Sequence, residues 1–360
     1  MSKIYNFSAG PACMPEWVLK KAADEMLDAN GSGMRVMEMS HRSSAFESIL
    51  KETKDTIRRL ANIPEDYEIL FIQGGGNLQF SMIPMNFNKN GADIINTGQW
   101  TKKAIKEAEK LGRVHLAGDS SDKTFTYIPK VTQEDLDPDT DYVYICENNT
   151  IYGTKYKQLP PHEGKLLIAD LSSCIFTEPL DVSKYDLIFA GAQKNLGPAG
   201  VTVVFIKKDL LDQRRDDIPS AMLDYKTFVD NDSMYNTPPT YGIYMVGLVC
   251  KWLEEQIDGL EAMEKINKEK AALLYDYLDN SKMFSNPVEK EDRSLVNIPF
   301  VTGNPDLDKE FIAKATEAGL VNLKGHRTVG GMRASIYNAM PIEGVQKLVD
   351  FMKEFEESHA

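Results

Sequence analysis

The chain contains a series of short apolar runs separated by segments with helical spacing, and this pattern constrains the fold most. The runs are rich in Val, Ile, Tyr and Phe, and polar residues do not alternate regularly with apolar ones. They cover residues 68–73, 92–96, 141–146, 166–169, 187–191 and 202–207. Near-continuous apolarity is typical of parallel strands that are covered on both faces. Because helical segments such as residues 100–111 lie between the runs, the sequence predicts an α/β fold with a mostly parallel open sheet.

From about residue 241 the pattern changes to longer helices. Residues 241–257 and 263–278 are predicted amphipathic helices, and we expect the second to carry Lys265, Lys268 and Lys270 on its polar side. After them come a predicted strand at 295–300, a helix at 306–318, a Gly-rich stretch at 325–332 and a last helix at 342–355. The 360 residues exceed the ~250 to 300 that one hydrophobic core usually serves. We predict a large domain over residues 16–258, a smaller C-terminal α+β domain over 259–360, and an N-terminal segment, 1–15, that packs near the functional site and the small domain.

The composition of the chain disfavours several classes of function. The chain has 41 basic and 54 acidic residues, a net charge of −13, which disfavours a nucleic-acid surface. No apolar run approaches the ~18 to 20 residues that would cross a membrane, and the first residues lack the pattern of a secretory signal, so we expect a cytoplasmic protein. The cysteines are far apart in sequence and are expected to be reduced: Cys13, Cys146, Cys174 and Cys250. The histidines show no spacing typical of metal ligands, so we predict no metal site.

Three of the predicted strands end in residues that could bind a ligand. In folds of this kind, ligands bind at the sheet edge formed by the carboxyl ends of the strands. Gly74, Gly75 and Gly76 follow the first run and precede a helical segment, which suits either a phosphate cradle or a tight turn. Asp170 ends another run and could bind a cationic ring nitrogen or cap a helix. Lys194 lies in a loop of small residues, where desolvation would favour the neutral amine that forms an imine. Together these are the groups that pyridoxal 5′-phosphate requires.

Several motifs, in order along nearly the whole chain, resemble those of the phosphoserine aminotransferase family, a class V group of pyridoxal-phosphate enzymes. They lie at residues 6–11 (NFSAGP), 37–42 (MEMSHR), 74–76 (GGG), 190–195 (AGAQKN), 236–240 (NTPPT), 324–327 (KGHR) and 330–335 (GGMRAS). The resemblance implies the fold-type-I architecture, with a seven-stranded sheet covered by helices and a small C-terminal domain. It also implies reversible transamination between L-glutamate and 3-phosphooxypyruvate, which gives O-phospho-L-serine and 2-oxoglutarate.

The resemblance further implies roles for individual residues. Lys194 would bind the cofactor covalently, and Asp170 would bond the pyridine nitrogen. Trp100 would stack on the ring, Thr150 would bond its phenolic oxygen, and the cofactor phosphate would be held by Gly76, Asn77 and Gln193, joined by Asn236 and Thr237 from the partner subunit of a homodimer. Arg333 would bind the substrate's α-carboxylate. The pocket for the substrate's phosphate and for the side-chain carboxylate of glutamate would comprise His41, Arg42, His326 and Arg327.

Two positions depart from the family pattern. Many relatives have Arg after the third glycine, where this chain has Asn77, so a cation near the substrate's phosphate is either missing or supplied elsewhere. Ala9 replaces a serine, which leaves only its backbone for ligand contact.

Alternative functions are another class V activity, such as serine–glyoxylate or alanine–glyoxylate transamination, and a non-catalytic protein that binds phosphate ligands. Use of the phosphorylated substrate of vitamin B6 biosynthesis is left open.

Overall fold

The structure is a computed structural model that describes residues 3–359, so Met1, Ser2 and Ala360, at the ends of the predicted N-terminal and C-terminal parts, lie outside the described residues. Its strands are β1 (Tyr5–Asn6), β2 (Tyr67–Ile72), β3 (Ala92–Asn96), β4 (Val114–Asp119), β5 (Tyr142–Cys146), β6 (Leu166–Asp170), β7 (Leu187–Gly191), β8 (Thr202–Lys207), β9 (Asn297–Phe300), β10 (Leu320–Val321) and β11 (Met332–Ser335). Its α-helices are α1 (Glu16–Asp24), α2 (Ser44–Leu60), α3 (Gly75–Phe87), α4 (Gln99–Ala108), α5 (Tyr225–Asp230), α6 (Thr240–Glu255), α7 (Leu260–Asn280), α8 (Pro305–Glu317) and α9 (Ile342–Ser358).

Seven of the described strands form one sheet, in the order β2–β8–β7–β6–β5–β3–β4. Within this sheet β8 pairs antiparallel with β2 and β7, and the remaining neighbours pair parallel. The predicted mostly parallel sheet of seven strands is therefore confirmed. Because β2 and β7 both run opposite to β8, the carboxyl ends of β2, β6 and β7 lie at the same edge of the sheet.

Helices cover both faces of this sheet. Successive residues of β2 enter different cores, since Ile69 and Phe71 pack with residues of α2 and α6, whereas Leu70 and Ile72 pack with residues of α3. A strand that is buried on both faces has no polar side, which explains the continuous apolar runs in the sequence. Within residues 3–359, no helix has the length and apolarity needed to cross a membrane.

Strand β4 was not predicted. It lies at the sheet edge, where its one neighbour is β3. Its side chains are partly exposed, including Leu116 with 47% of its surface accessible. An edge strand of this kind lacks the continuous apolar run by which the buried strands were identified.

The C-terminal part has its own core. The antiparallel pair β9 and β11 packs with α7, α8 and α9, and aromatic rings fill the centre, with Phe284 and Phe311 at 5.1 Å between ring centroids. The N-terminal segment joins this core, because β1 pairs parallel with β10 and Phe7 is fully buried there. The small α+β domain is thus observed. Its predicted boundary at residues 258 and 259 stays a prediction.

The expectation that Lys270 lies on the polar side of α7 is wrong. Its side chain is buried, whereas Lys265 and Lys268 are exposed as expected. The Lys270 ammonium donates hydrogen bonds to main-chain oxygens of the segment after β11, at 2.8 Å to Tyr337, 3.1 Å to Ile336 and Met340, and 3.5 Å to Asn338. These carbonyl groups provide the polar partners that a buried ammonium requires.

Candidate active site

The three strand ends singled out in the sequence meet at one edge of the sheet. Asp170 is the last residue of β6, and Lys194 follows the end of β7, which is the neighbour of β6. The Ser172 hydroxyl accepts a hydrogen bond from the Gly191 backbone N–H at 3.0 Å and thereby ties the turn after β6 to β7. The acidic residue and the lysine are thus held by adjacent strands.

The triplet of glycines forms the start of α3. Gly74 and Gly75 have φ angles of 94° and 64°, which are strained for residues with a side chain. A Cβ atom on Gly74 would lie 2.7 Å from the Leu78 Cβ, and one on Gly76 would lie 3.3 Å from the Phe189 ring. The close packing therefore requires glycine. It leaves the first N–H groups of α3 available for an anion, so the tight turn is compatible with a phosphate cradle.

Lys194 is half-buried, and its amine donates a hydrogen bond of 2.8 Å to Thr150 Oγ. The Lys194 Nζ also lies 5.5 Å from the centroid of the Trp100 ring. Burial lowers the pKa of Lys194, and the negative charge of Asp170 opposes this change. The neutral amine, which is the form that attacks a carbonyl carbon, is favoured relative to an exposed lysine.

Asp170 is buried, and its pKa is shifted in the direction opposite to that of Lys194. Burial raises its pKa, while the positive charge of Lys194 and a hydrogen bond from Ser172 lower it; the Ser172 N–H is 2.9 Å from one carboxylate oxygen. A buried carboxylate of this kind is stabilised as an anion by a cationic partner. The protonated pyridine nitrogen of a cofactor matches that requirement.

Trp100 and Arg333 each have a buried nitrogen without a hydrogen-bond partner in the described part of the chain, Nε1 of Trp100 and Nε of Arg333. Buried donors are normally satisfied, so both nitrogens are available to a ligand. The Arg333 Nη1 donates to the Thr150 carbonyl oxygen at 3.3 Å, which places the guanidinium beside the residue that contacts Lys194. Burial lowers the pKa of Arg333, whose guanidinium nevertheless stays charged at neutral pH.

These observations fit pyridoxal 5′-phosphate. The donors at the start of α3 suit its phosphate, the buried Asp170 carboxylate suits its ring nitrogen, and the Trp100 indole with its unpaired nitrogen offers a face for stacking. Gln193 precedes Lys194, and its backbone oxygen accepts a hydrogen bond from the Ala12 N–H at 2.9 Å, so the N-terminal segment supports the lysine loop. The residues that the sequence assigned to the cofactor within one chain are therefore compatible with it.

His326 lies in the loop between β10 and β11. Its Nδ1 accepts a hydrogen bond from the Thr328 N–H at 3.3 Å and lies 2.8 Å from the Thr328 hydroxyl. In the neutral imidazole the proton then lies on Nε2, which can donate to an anion. Burial lowers the pKa of His326, and the positive charges of Arg333, Arg327 and Lys103 lower it further. Arg327 itself is exposed.

Two other proposed substrate residues, His41 and Arg42, are not joined to this group within one chain. His41 and Arg42 bond each other, with Arg42 Nε donating to His41 Nε2 at 3.4 Å. In residues 3–359, no side-chain hydrogen bond or ion pair links them to the other proposed substrate residues. Asn236 donates to the Gln73 side chain at 2.8 Å, and Thr237 is exposed.

The structure adds two residues that the sequence reasoning missed. Lys103 lies one turn after Trp100 on α4, and its ammonium is 3.4 Å from the Asn77 side-chain oxygen. The spacing of three residues from Trp100 was the available signal. The Tyr337 hydroxyl donates to the Ala9 carbonyl oxygen at 2.8 Å, so the backbone of Ala9 serves a structural contact.

Comparison with known proteins identifies the family of this chain. The family model for aminotransferase class-V matches residues 4–348. A phosphoserine aminotransferase from Bacillus cereus is 54% identical over 99% of this chain and 99% of its own. Among solved structures, phosphoserine aminotransferase from Bacillus circulans subsp. alkalophilus is 42% identical, with a TM-score of 0.96 over 100% of both chains. The PLP-bound phosphoserine aminotransferase from Trichomonas vaginalis is 40% identical, with a TM-score of 0.91 over 98% of this chain and 100% of that one. The chain therefore belongs to the class V aminotransferase family and, within it, to the phosphoserine aminotransferases.

Proposed function

We propose that the protein transfers an amino group from L-glutamate to 3-phosphooxypyruvate and releases 2-oxoglutarate and O-phospho-L-serine, a reversible step of serine biosynthesis. The observation that carries the proposal is the amine of Lys194, held by Thr150 at the sheet edge beside the buried carboxylate of Asp170. The identity to phosphoserine aminotransferases over the full chain supports the choice of substrates.

Pyridoxal 5′-phosphate, when bound, supplies a carbonyl carbon that accepts the substrate's amine and a ring that withdraws electrons from the substrate's Cα. The phosphate would be held by Gly76, Asn77 and Gln193, and the phenolic oxygen by Thr150. Trp100 would cover one face of the ring. Asp170 would hold a proton on the ring nitrogen, because its buried carboxylate is stabilised by a positive charge.

Lys194 would have two functions in sequence. Its amine would hold the cofactor, and in its free form the amine would accept the proton from the substrate's Cα. The lowered pKa supports both functions, because each requires the neutral amine at physiological pH. The hydrogen bond to Thr150 Oγ fixes the position of Nζ.

Arg333 would bind the α-carboxylate of both substrates. Its unpaired Nε and its second amino group offer the parallel donors that a carboxylate accepts. The opposite end of each substrate is also anionic, a carboxylate in glutamate and a phosphate in phosphoserine. We propose that His326, Arg327, His41 and Arg42 bind this end, with neutral His326 donating from Nε2.

We also propose a homodimer in which Asn236 and Thr237 reach the cofactor phosphate of the partner subunit. Thr237 is exposed, and the neighbouring Tyr235 has 48% of its surface accessible. Large apolar side chains elsewhere on the surface, Leu27 at 68% and Met37 at 60%, are consistent with a face that a second subunit covers. His41 and Arg42 are separate from the other proposed anion-binding residues within one chain, and we propose that they too reach the site of the partner subunit.

Two finer proposals follow. The vitamin B6 precursor 3-hydroxy-2-oxo-4-phosphooxybutanoate has the same 2-oxo acid and phosphate end groups, so we propose it as a further substrate. We propose a cytoplasmic location, since Cys13, Cys146, Cys174 and Cys250 all have free thiols in a chain that carries no disulfide among its described residues.

A substrate panel tests the main proposal. Holoenzyme is incubated with 2-oxoglutarate and either O-phospho-L-serine, L-serine or L-alanine, and glutamate formation is measured. We expect phosphoserine to be turned over at least a hundredfold faster than the unphosphorylated amino acids at equal concentration, because two anion-binding regions serve its two ends. A preference for serine or alanine would assign the protein to a different class V activity.

A further inference from the structure

The anion-binding end of the site has a cation whose role is not explained by the residues discussed so far. Asn77, directly after the three glycines, is neutral and exposed. Lys103 projects from α4 toward it, with the ammonium 3.4 Å from the Asn77 Oδ1 and 4.7 Å from the centroid of the Trp100 ring. The Lys194 amine lies beside the same ring, at 5.5 Å. Lys103 therefore extends into the region where cofactor and substrate would meet.

Lys103 has no carboxylate partner to explain this position. In the described part of the chain, Lys103 forms no ion pair, although the nearby Lys110 pairs with Glu107 on the same helix at 2.7 Å. The ammonium donates to an amide oxygen and lies over an aromatic ring, and neither contact neutralises its charge. Among the described residues, Lys103 therefore has no carboxylate counterion, although the protein has a net charge of −13.

Other cations converge on the same place. Besides burial, the groups that lower the pKa of His326 are Arg333, Arg327 and Lys103, and all three carry positive charge. Bringing like charges together costs free energy unless an anion is bound among them. The start of α3 adds N–H donors on the Asn77 side. The arrangement suits a ligand with more than one negative charge.

We propose that Lys103 binds the phosphate of the phosphorylated substrate and supplies the positive charge that an arginine at position 77 would otherwise provide. This inference depends on the proposed function, because it assigns a residue to one end of that substrate. It makes Lys103 a determinant of specificity: a dianionic phosphate gains more from an added cation than the single carboxylate of glutamate does.

Lys103→Gln tests the proposal, with Lys106→Gln as the matched control, since Lys106 is also exposed on α4 and forms no ion pair within residues 3–359. In Lys103→Gln we expect the KM for O-phospho-L-serine to rise about tenfold, the KM for glutamate to rise no more than about twofold, and kcat to change little. Calorimetry of the holoenzyme with inorganic phosphate should show a similar loss of affinity. Lys106→Gln should leave all these values unchanged.

Two further measurements distinguish the substrate's phosphate from the cofactor's phosphate as the anion that Lys103 binds. If Lys103 served the cofactor's phosphate, Lys103→Gln would weaken the binding of pyridoxal 5′-phosphate to the apoprotein, and we expect that Kd to be unchanged. The double variant Asn77→Arg/Lys103→Gln should recover most of the phosphoserine KM. Equal losses for both substrates, or a loss confined to the cofactor, would overturn the inference. A wild-type enzyme that does not convert phosphoserine would instead refute the proposed function.

Discussion

At the scale of single residues, the site depends on two groups of opposite charge, the buried Asp170 and the half-buried Lys194. Lys194 and Asp170 shift each other's pKa toward the charged forms, while burial shifts both toward the neutral forms. Cys146 and Cys174 also favour the charged form of Lys194, and Arg333 disfavours it. The outcome is an amine that loses its proton more readily than a surface lysine and yet remains near a carboxylate that can bind a cationic ring.

This balance predicts how Asp170→Asn changes the lysine in the apoprotein. Removing the negative charge removes the main influence that raises the pKa of Lys194, so that pKa should fall further and more amine should be neutral at pH 8. Labelling by trinitrobenzenesulfonate, followed on the Lys194 peptide by mass spectrometry over a pH series, measures the change. The labelling rate of Lys194 should rise with pH through a pKa below 10.5 in the wild type and through a lower one in Asp170→Asn. A higher pKa in the variant would contradict the account.

The sequence singled out candidate site residues where the neighbouring residues along the chain define the local structure. Lys194 lies in a loop of small residues after an apolar run, and this context separated it from the surface lysines. Lys103 has no such context, because its contact with Asn77 joins two different helices, α3 and α4, across 26 residues of sequence. Its proposed role depends on tertiary structure, and the spacing from Trp100 is the one indication of it in the local sequence.

At the scale of elements, α7 organises the segment that follows β11. Four main-chain oxygens between Ile336 and Met340 accept hydrogen bonds from the Lys270 ammonium. This segment follows the strand that carries Arg333, and it includes Tyr337, which holds Ala9. The helix therefore supports both the segment after the strand that carries Arg333 and the N-terminal segment.

Lys270→Met should destabilise the protein through this contact. The variant leaves the buried oxygens without their donor, and we expect a loss of about 3 kcal/mol in the free energy of unfolding. Urea denaturation of the apoprotein measures the loss. Lys265→Met, on the exposed side of the same helix, is the control and should change stability by less than about 0.5 kcal/mol. Equal effects of the two substitutions would show that the Lys270 contacts do not stabilise the fold.

The helical period of α7 is sufficient to predict that Lys270 lies on the buried side of the helix. It lies three residues after Asn267 and four before Leu274, on the buried stripe of α7. Assigning it to the polar side followed the charge of the residue instead of its spacing. Strand β4 was missed for a different reason, since an exposed edge strand has no continuous apolar run to detect. The other large-sheet strands were predicted because burial on both faces leaves that run in the sequence.

At the scale of the whole molecule, the fold concentrates positive charge in an acidic protein. Arg333, Arg327 and Lys103 all place positive charge near His326 at one end of the site, although the chain carries a net charge of −13. Such a local field can attract anionic substrates that the overall charge repels. The sequence could indicate which arginines and histidines take part, but it could not place them, because the loop between β10 and β11 meets α4 only in the folded chain.

A shared active site predicts complementation between defective subunits. Subunits with Lys194→Ala are co-expressed with subunits carrying Asn236→Ala and Thr237→Ala, and mixed dimers are purified with two different tags. If Asn236 and Thr237 serve the partner's cofactor, each mixed dimer contains one intact site and recovers up to half of the wild-type activity per dimer. If these residues serve their own subunit's cofactor, no mixed dimer has an intact site. Activity no higher than that of either parent would contradict the proposed exchange.

The most direct test of the central claim is to find where the cofactor attaches. Holoenzyme is reduced with borohydride and digested, and its peptides are mapped by mass spectrometry. The account predicts that the peptide containing Lys194 carries the added mass of a reduced pyridoxal phosphate, and that adding O-phospho-L-serine before reduction abolishes this modification. An unmodified Lys194, or a modification on another lysine, would contradict it.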